Sequence, residues 1–236
     1  MRVVVVVGDS FSGRFFLSRL LHNTGAIDRV VVEAGREPWR FYWRKLKRVG
    51  LVNFVAQFIF SRRFEGNVAH HTQGQYNAGL DFSKIEKVES VNSLDLKEDD
   101  LVLCYGTTFV RGRTLRKARF LNLHTGILPL YRGVKSEWWV FHNSDFDNAG
   151  FTLHEMTTAY DRGAFILREK TPVLVPSPPE LRVRILEQAA HSVGRLLDNL
   201  SSSGPPAATE IGEAGHYYTT PTLKEMLGLS KEEING

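Results

Sequence analysis

The sequence predicts an α/β protein built on an open, mostly parallel sheet with helices on both faces and a short C-terminal extension. Three observations carry this. The chain opens on "RVVVVVG", a β-branched run without polar alternation that Gly8 closes, as in a strand buried on both faces. "SGRFFLSRLLHNTGA" then changes to helical spacing, and "DRVVVEAG" returns to a buried strand, which completes a β-α-β unit with a right-handed crossover. Near the other end, "PPELRVRILEQAAHSVGRLLDNL" is a long amphipathic helix with proline at its start.

Between these ends lie further strands at "DLVLCYG" and "RFLNLHTG", with the short basic helical stretch "GRTLRKA" between them. "SEWWVFHN" reads as a helix, and "AGFTLHEM" and "FILREKTPVLV" read as strands. Residues 1–200 are thus expected to form one Rossmann-like domain. Residues 201–236 begin with the linker composition "SSSGPPAA", and the tail is expected to pack back on the body through Tyr217 and Tyr218. Neither an internal repeat nor a low-complexity tract is visible.

A chain of 236 residues with 42% apolar content can bury a full core. The apolar opening is far shorter than a signal-peptide core or a membrane span, so a cytoplasmic location is expected. Cys104, the one cysteine, lies in the apolar context "LVLCYG" and reads as a small core residue. His70 and His71 point apart in an extended chain and lack cysteine neighbours, so no metal is expected. A formal charge of +4 favours anionic ligands but is too small to identify nucleic acid as a partner. The basic excess is local. Residues 36–63 hold eight Lys or Arg against one Glu, within an aromatic-rich segment that reads as a helical insertion. Such a helix pair could be a solvated cover over the sheet, or could meet a nucleotide diphosphate, a membrane surface or a protein partner.

The turn "GDSFSG" stands where a dinucleotide fingerprint would, and Glu33 ends the next strand near the ribose-binding distance. Ser10 replaces the middle glycine, however, and Arg14 and Phe15 follow Gly13 where a P-loop needs Lys and Ser or Thr. A structural turn, or a substrate anion at the helix N-terminus, suits the residues better than nicotinamide. In "NLHTGILP", Asn122 and His124 are two apart on a strand and so project to one side at its carboxyl end, where open α/β sheets place ligands. By themselves they could equally be a capped strand end. Asp161, in the polar loop "MTTAYDRG" after a neighbouring strand, can bring a carboxylate to the same place.

Together "LNLHTGILPLYRG" and "GFTLHEMTTAYDRGAFI" resemble the paired signature of the folate-dependent formyltransferases, a family that includes methionyl-tRNA, glycinamide ribonucleotide and amino-sugar enzymes. The matching positions are Asn122, His124, Leu128, Pro129, Asp161 and Gly163, within residues 95–175, and the first strand-helix-strand is similar more weakly. The resemblance implies transfer of a formyl group from 10-formyltetrahydrofolate, as co-substrate, to a primary amine. Asn122 would donate to the developing oxyanion, His124 would take the amine proton, and Asp161 would orient the imidazole and stabilise its cation. It further implies a folate site along Thr107, Thr108, Val110, Thr157, Thr158, Ala159 and Tyr160. Acceptor contacts would come from Ser10, Phe11, Arg132, Lys135, Trp138 and Trp139. Gly126 departs from members that carry serine there, and the 36–63 insertion lies outside the shared core.

Only about thirty residues follow the linker, which argues against a tRNA-binding barrel, and "GDSFSG" lacks the Gly-Ser-Asn loop of ribonucleotide enzymes. The resemblance therefore points to a small, anionic amine acceptor, an amino sugar and in particular a nucleotide-linked one. A ribonucleotide-type or other small-amine enzyme, and a 10-formyltetrahydrofolate hydrolase using the same three residues, stay open. So do a homodimer and a non-catalytic or nicotinamide-binding module.

Overall fold

A computed structural model describes residues 1–35, 39–72, 75, 80–203, 207–212 and 215–228. Arg36 and the rest of 36–38, at the start of the basic insertion, lie outside them, as do residues 204–206 of the linker. In chain order the main elements are β1 (Arg2–Gly8), α1 (Phe11–Asn23), β2 (Arg29–Glu33), α2 (Trp39–His71), β3 (Glu86–Val88) and β4 (Asp100–Tyr105). Then come α3 (Gly112–Leu115), β5 (Arg119–His124), β6 (Arg132–Gly133), α4 (Ser136–His142), β7 (Gly150–Glu155) and β8 (Phe165–Lys170). The chain closes with α5 (Pro178–Ser203), β9 (Tyr217–Tyr218) and α6 (Leu223–Met226).

Seven strands form one sheet in the order β3-β2-β1-β4-β5-β7-β8. The first five are parallel, and β7 and β8 are antiparallel to their neighbours. Because side chains alternate along a strand, β1 serves both faces: Val3, Val5 and Val7 join one cluster, Val4 and Val6 the other. The first face is thick. It buries Phe15, Phe16 and Leu20 of α1, Phe64 and Val68 of α2, Trp139 and Val140 of α4, and a stripe of α5 that includes Leu181, Ile185, Ala189, Val193 and Leu197. Each fully buried large aliphatic side chain contributes about 1.5–3 kcal/mol. The second face is thin, covered by a 3-10 turn (Val91–Ser93), α3 and the loops around Val110 and Met156.

Some expectations shift. The strand expected over "FILREKTPVLV" ends at Lys170, because Pro172 has no N–H for the ladder and Leu174 turns back to its carbonyl. Helix α5 continues through Ser203, three residues into the stretch that reads as linker. The edge strand β3 and the two-residue strands β6 and β9 are too short and polar to show a period. Segment 39–71 is a helix pair: α2 breaks at Gly50, whose φ of 77° and ψ of 163° lie where only glycine is at ease. Cys104 is fully buried in the second cluster, and burial pushes its thiol up to about 12.

Candidate active site

At the carboxyl end of β1 the chain turns through Asp9 and Ser10, and the Ser10 hydroxyl caps α1 by accepting from the Gly13 N–H at 3.0 Å. A Cβ on Gly8 would lie 2.2 Å from the Gly106 carbonyl oxygen, so the turns after β1 and β4 touch backbone to backbone. The two turns meet at the point where a dinucleotide fingerprint would need open backbone. Glu33 is taken. Its buried carboxylate accepts from the Val91 N–H (2.7 Å), the Thr108 N–H (2.6 Å) and the Thr108 hydroxyl (2.7 Å), and so fastens the loop after β4 instead of facing a ribose.

Beside that loop opens a cavity of about 390 Å³, lined among others by Thr107, Thr108, Val110, Asn122, His124, Thr157, Ala159, Tyr160 and Asp161. The antiparallel register β5–β7 sets Asn122 opposite His154 and His124 opposite Thr152. All four side chains therefore share one sheet face, the thin one. Thr152 anchors the following turn, donating to the Gly126 carbonyl at 2.8 Å and accepting from the Leu128 N–H at 3.0 Å. That turn passes through a cis Leu128–Pro129 bond. Gly126 is required for packing: a Cβ there would meet Ser136 Oγ at 2.6 Å and His124 Nε2 at 2.7 Å.

His124 Nε2 is 2.6 Å from the Tyr131 carbonyl oxygen, which can only accept, so Nε2 carries the proton and Nδ1 has the free lone pair. Nδ1 faces Asp161 Oδ1 at 4.0 Å, beyond hydrogen-bond range. The expected orienting bond from Asp161 is thus replaced by one from the backbone, and Asp161 acts on the imidazole through its charge. The other Asp161 oxygen accepts from the Gly133 N–H at 2.7 Å.

His154 adds a residue that sequence reasoning missed. Its Nδ1 is 2.8 Å from the Glu155 carbonyl and its Nε2 is 3.2 Å from Asn122 Nδ2 and 3.6 Å from Asp161 Oδ1. With Nδ1 donating, Nε2 accepts one Asn122 N–H, which fixes the amide and leaves its second N–H for a ligand. Asp161 is consequently flanked by two imidazoles. Burial works to raise its pKa, but the positive charge His124 carries when protonated, the bond from a protonated His154 and the Gly133 N–H outweigh this and bring the carboxyl down to about 2.

Deeper in the cavity wall lies a charged cluster that no motif announces. The Arg182 guanidinium from α5 pairs twice with buried Glu137 (2.9 and 2.7 Å) and reaches Glu65 of α2 at 3.1 Å. Glu65 also accepts from the Ser12 N–H and hydroxyl. Burial opposes the charge on both acids, yet Arg182 holds them below the usual carboxylate range. Lys135, with φ of 61°, sits 3.7 Å from Glu65, and burial lowers it to about 8, helped by Arg182 and resisted by Glu65 and Glu137.

Of the expected acceptor residues, Ser10 and Lys135 line the cavity. Phe11 is half-exposed outside its lining. Arg132 is buried and donates to the Tyr160 carbonyl at 2.8 Å, so it braces the loop after β7. Trp139 is core, donating from Nε1 to the Thr219 carbonyl, and Trp138 stacks on His142 in the wall of a second groove. Thr158 likewise lies outside the lining, against Gly112. From the C-terminal extension, β9 pairs with β6; Tyr218 stacks on Tyr131, while Tyr217 faces the cavity.

Residues 84–194 match the family model described as formyl transferase. The GDP-perosamine N-formyltransferase of Brucella melitensis is 28% identical over 219 residues, covering 91% of this chain and 74% of its own. Among solved structures, an N-formyltransferase from Helicobacter canadensis in complex with folinic acid and dTDP-3-aminofucose superposes with a TM-score of 0.57 at 15% identity, over 100% of this chain and 73% of its own. A 4-N formyltransferase from Francisella tularensis gives 0.56 at 11% identity, over 97% and 86%. At such identities the structures show the shared fold, and the stretch that matches the formyl transferase family model, residues 84–194, contains Asn122, His124 and Asp161.

Proposed function

We propose that the protein transfers a formyl group from 10-formyltetrahydrofolate to the primary amine of a nucleotide-linked amino sugar. One observation carries the reading: an amide N–H, an imidazole lone pair and a carboxylate held at low pKa converge from β5 and the loop after β7 on one cavity. The co-substrate supplies an electrophilic formyl carbon. Asn122, pinned by His154, directs its remaining N–H toward the formyl oxygen, where negative charge gathers as the amine attacks. His124 receives the amine proton at Nδ1, the nitrogen that Tyr131 leaves open, and the adjacent Asp161 stabilises the cation so formed. The proton is then available to the departing folate nitrogen as the C–N bond breaks. Neither step requires an enzyme nucleophile.

The folate site suits the loops present. Thr107, Thr108 and Val110 on one side and Thr157, Ala159 and Tyr160 on the other line the cavity, and Glu33 and Arg132 brace them from behind. For the acceptor, Ser10 and Lys135 offer a hydroxyl and a cation. Support for an amino sugar comes from the Brucella relative, named for a GDP-linked amino sugar, and from the Helicobacter complex with a dTDP-linked one. The test is a panel of GDP- and dTDP-linked amino sugars together with glycinamide ribonucleotide, each incubated with 10-formyltetrahydrofolate and read by mass for one added formyl group. Gain on a nucleotide sugar supports the proposal. Rapid loss of the formyl group without any acceptor would identify a hydrolase.

A further inference from the structure

We infer that helix α2 docks the protein on an anionic lipid bilayer surface. The helix divides its work at Gly50. Its second arm is locked to the body through buried Gln57, Phe64 and Val68, whereas residues 39–49 bury none of their side chains. On that first arm Trp39, Tyr42, Trp43 and Leu46 fall at i, i+3, i+4 and i+7, one apolar stripe, and Arg40, Arg44 and Lys47 follow the same spacing about a quarter to a third of a turn away. Trp39 is 70% exposed and Trp43 51%. The exposed apolar surface continues past the kink through Leu51, Val52, Val55 and Ile59. There it opens into a groove of about 940 Å³ walled by Pro178, Leu223 and Met226, with Arg63 at its edge.

A patch of this size demands a partner, and charge selects which one. From Trp39 to His71 the helix carries seven Lys or Arg and one acid, Glu65, which is turned inward to Ser12 and Arg182. A second copy placed on the same face would set cations against cations. A surface of lipid phosphates complements them, and tryptophan and tyrosine flanked by arginine and lysine are suited to the boundary between headgroups and acyl chains. Among the described residues no helix is long and apolar enough to cross a membrane, so α2 would lie in the interface.

The test is cosedimentation of the full chain with phosphatidylcholine vesicles with and without about 30 mol% phosphatidylglycerol. Expected is binding that requires the anionic lipid and weakens with salt. The triple variant R40E/R44E/K47E should bind on the order of 100-fold more weakly, since each surface cation lost is worth about five-fold. W39A/W43A should lose the blue shift of tryptophan fluorescence on vesicles. The circular-dichroism melt of both variants should match wild type, because all five substituted side chains are exposed. Absence of sedimentation, equal binding to neutral vesicles, or unchanged binding by the triple variant overturns the inference. So does a concentration-dependent dimer in ultracentrifugation that W39A/W43A abolishes, which would give the face to a second copy.

Discussion

Asp161→Asn separates charge from shape at the centre of the site. Asp161 adopts φ of 52°, a left-handed conformation that asparagine also tolerates, and an amide oxygen can still accept from the Gly133 N–H. What disappears is the negative charge 4.0 Å from His124 Nδ1 and 3.6 Å from His154 Nε2. The carboxyl falls from 3.8 to about 2 in the folded protein, a stabilisation of about 2 kcal/mol. Because the folded pKa is depressed, that stabilisation is complete above about pH 4 and is lost as the pH falls toward about 2. Urea melts should therefore show the variant weaker by up to about 2 kcal/mol at pH 7, with the gap narrowing at pH values between about 4 and 3. In catalysis, a unit charge at 4.0 Å in an effective dielectric of about 20 is worth at most about 4 kcal/mol to an imidazolium. The kcat for formyl transfer should then drop by about 10² to 10³, with little change in folate affinity. A stability gap that is the same at low and neutral pH would mean the carboxylate acts through shape, and an unchanged kcat would remove the charge on Asp161 from the mechanism.

Gly126→Ala should place a methyl against His124 Nε2 and Ser136 Oγ, costing about 1–3 kcal/mol in thermal melts and lowering kcat at least about ten-fold as the imidazole is displaced. Glu33→Gln removes the charge that gathers three donors behind the folate loop, so the folate KM should rise about ten-fold while kcat moves much less. Arg182→Met leaves Glu137 buried without its partner and should cost about 3–5 kcal/mol in chemical denaturation. The double change with Glu137→Leu should recover much of that loss, because the pair is costly to break but not costly to replace.

The sheet was legible because its strands announce themselves: β1, β2 and β4 are unbroken apolar runs closed by glycine or acid, and no other element accommodates them. Asn122 and His124 were legible for a related reason, since two chemically active side chains at period 2 on a strand tip must share a face. Asp161 could be brought near by its place after a neighbouring strand, but its loop has no period, and only the resemblance gave it a role. His154 was written in the sequence yet easily passed over. It stands two residues after Thr152 on β7, and only the antiparallel register, a long-range property, sets it opposite Asn122. The Glu65–Arg182–Glu137 cluster was invisible for the same physical cause: Glu65 and Arg182 are 117 positions apart and meet through helix packing, which no local spacing encodes. Trp138 and Trp139 were ambiguous from local sequence, which could make either one core or ligand wall. Aromatic residues next to a motif suggest a ligand wall, but α4 turns Trp139 into the core to hold the C-terminal extension.

The change from parallel to antiparallel pairing at β5 is what makes the site possible. In a purely parallel sheet, the residue opposite Asn122 would come from another rising strand, and the loop after it would leave from the same edge. With β7 descending, His154 lies opposite the amide, and the chain that follows β7 returns over the thin face to deliver Asp161 beside His124. The thick helical layer covers the other face, so the polar residues gather where a ligand can still approach. The loops around Phe109 and Tyr160 meet beside that face; their rings, 5.1 Å apart, join the segments after β4 and β7. Within such a partly enclosed wall, a carboxylate held at about 2 remains fully charged at neutral pH, which is the condition for stabilising an imidazolium only once it has formed.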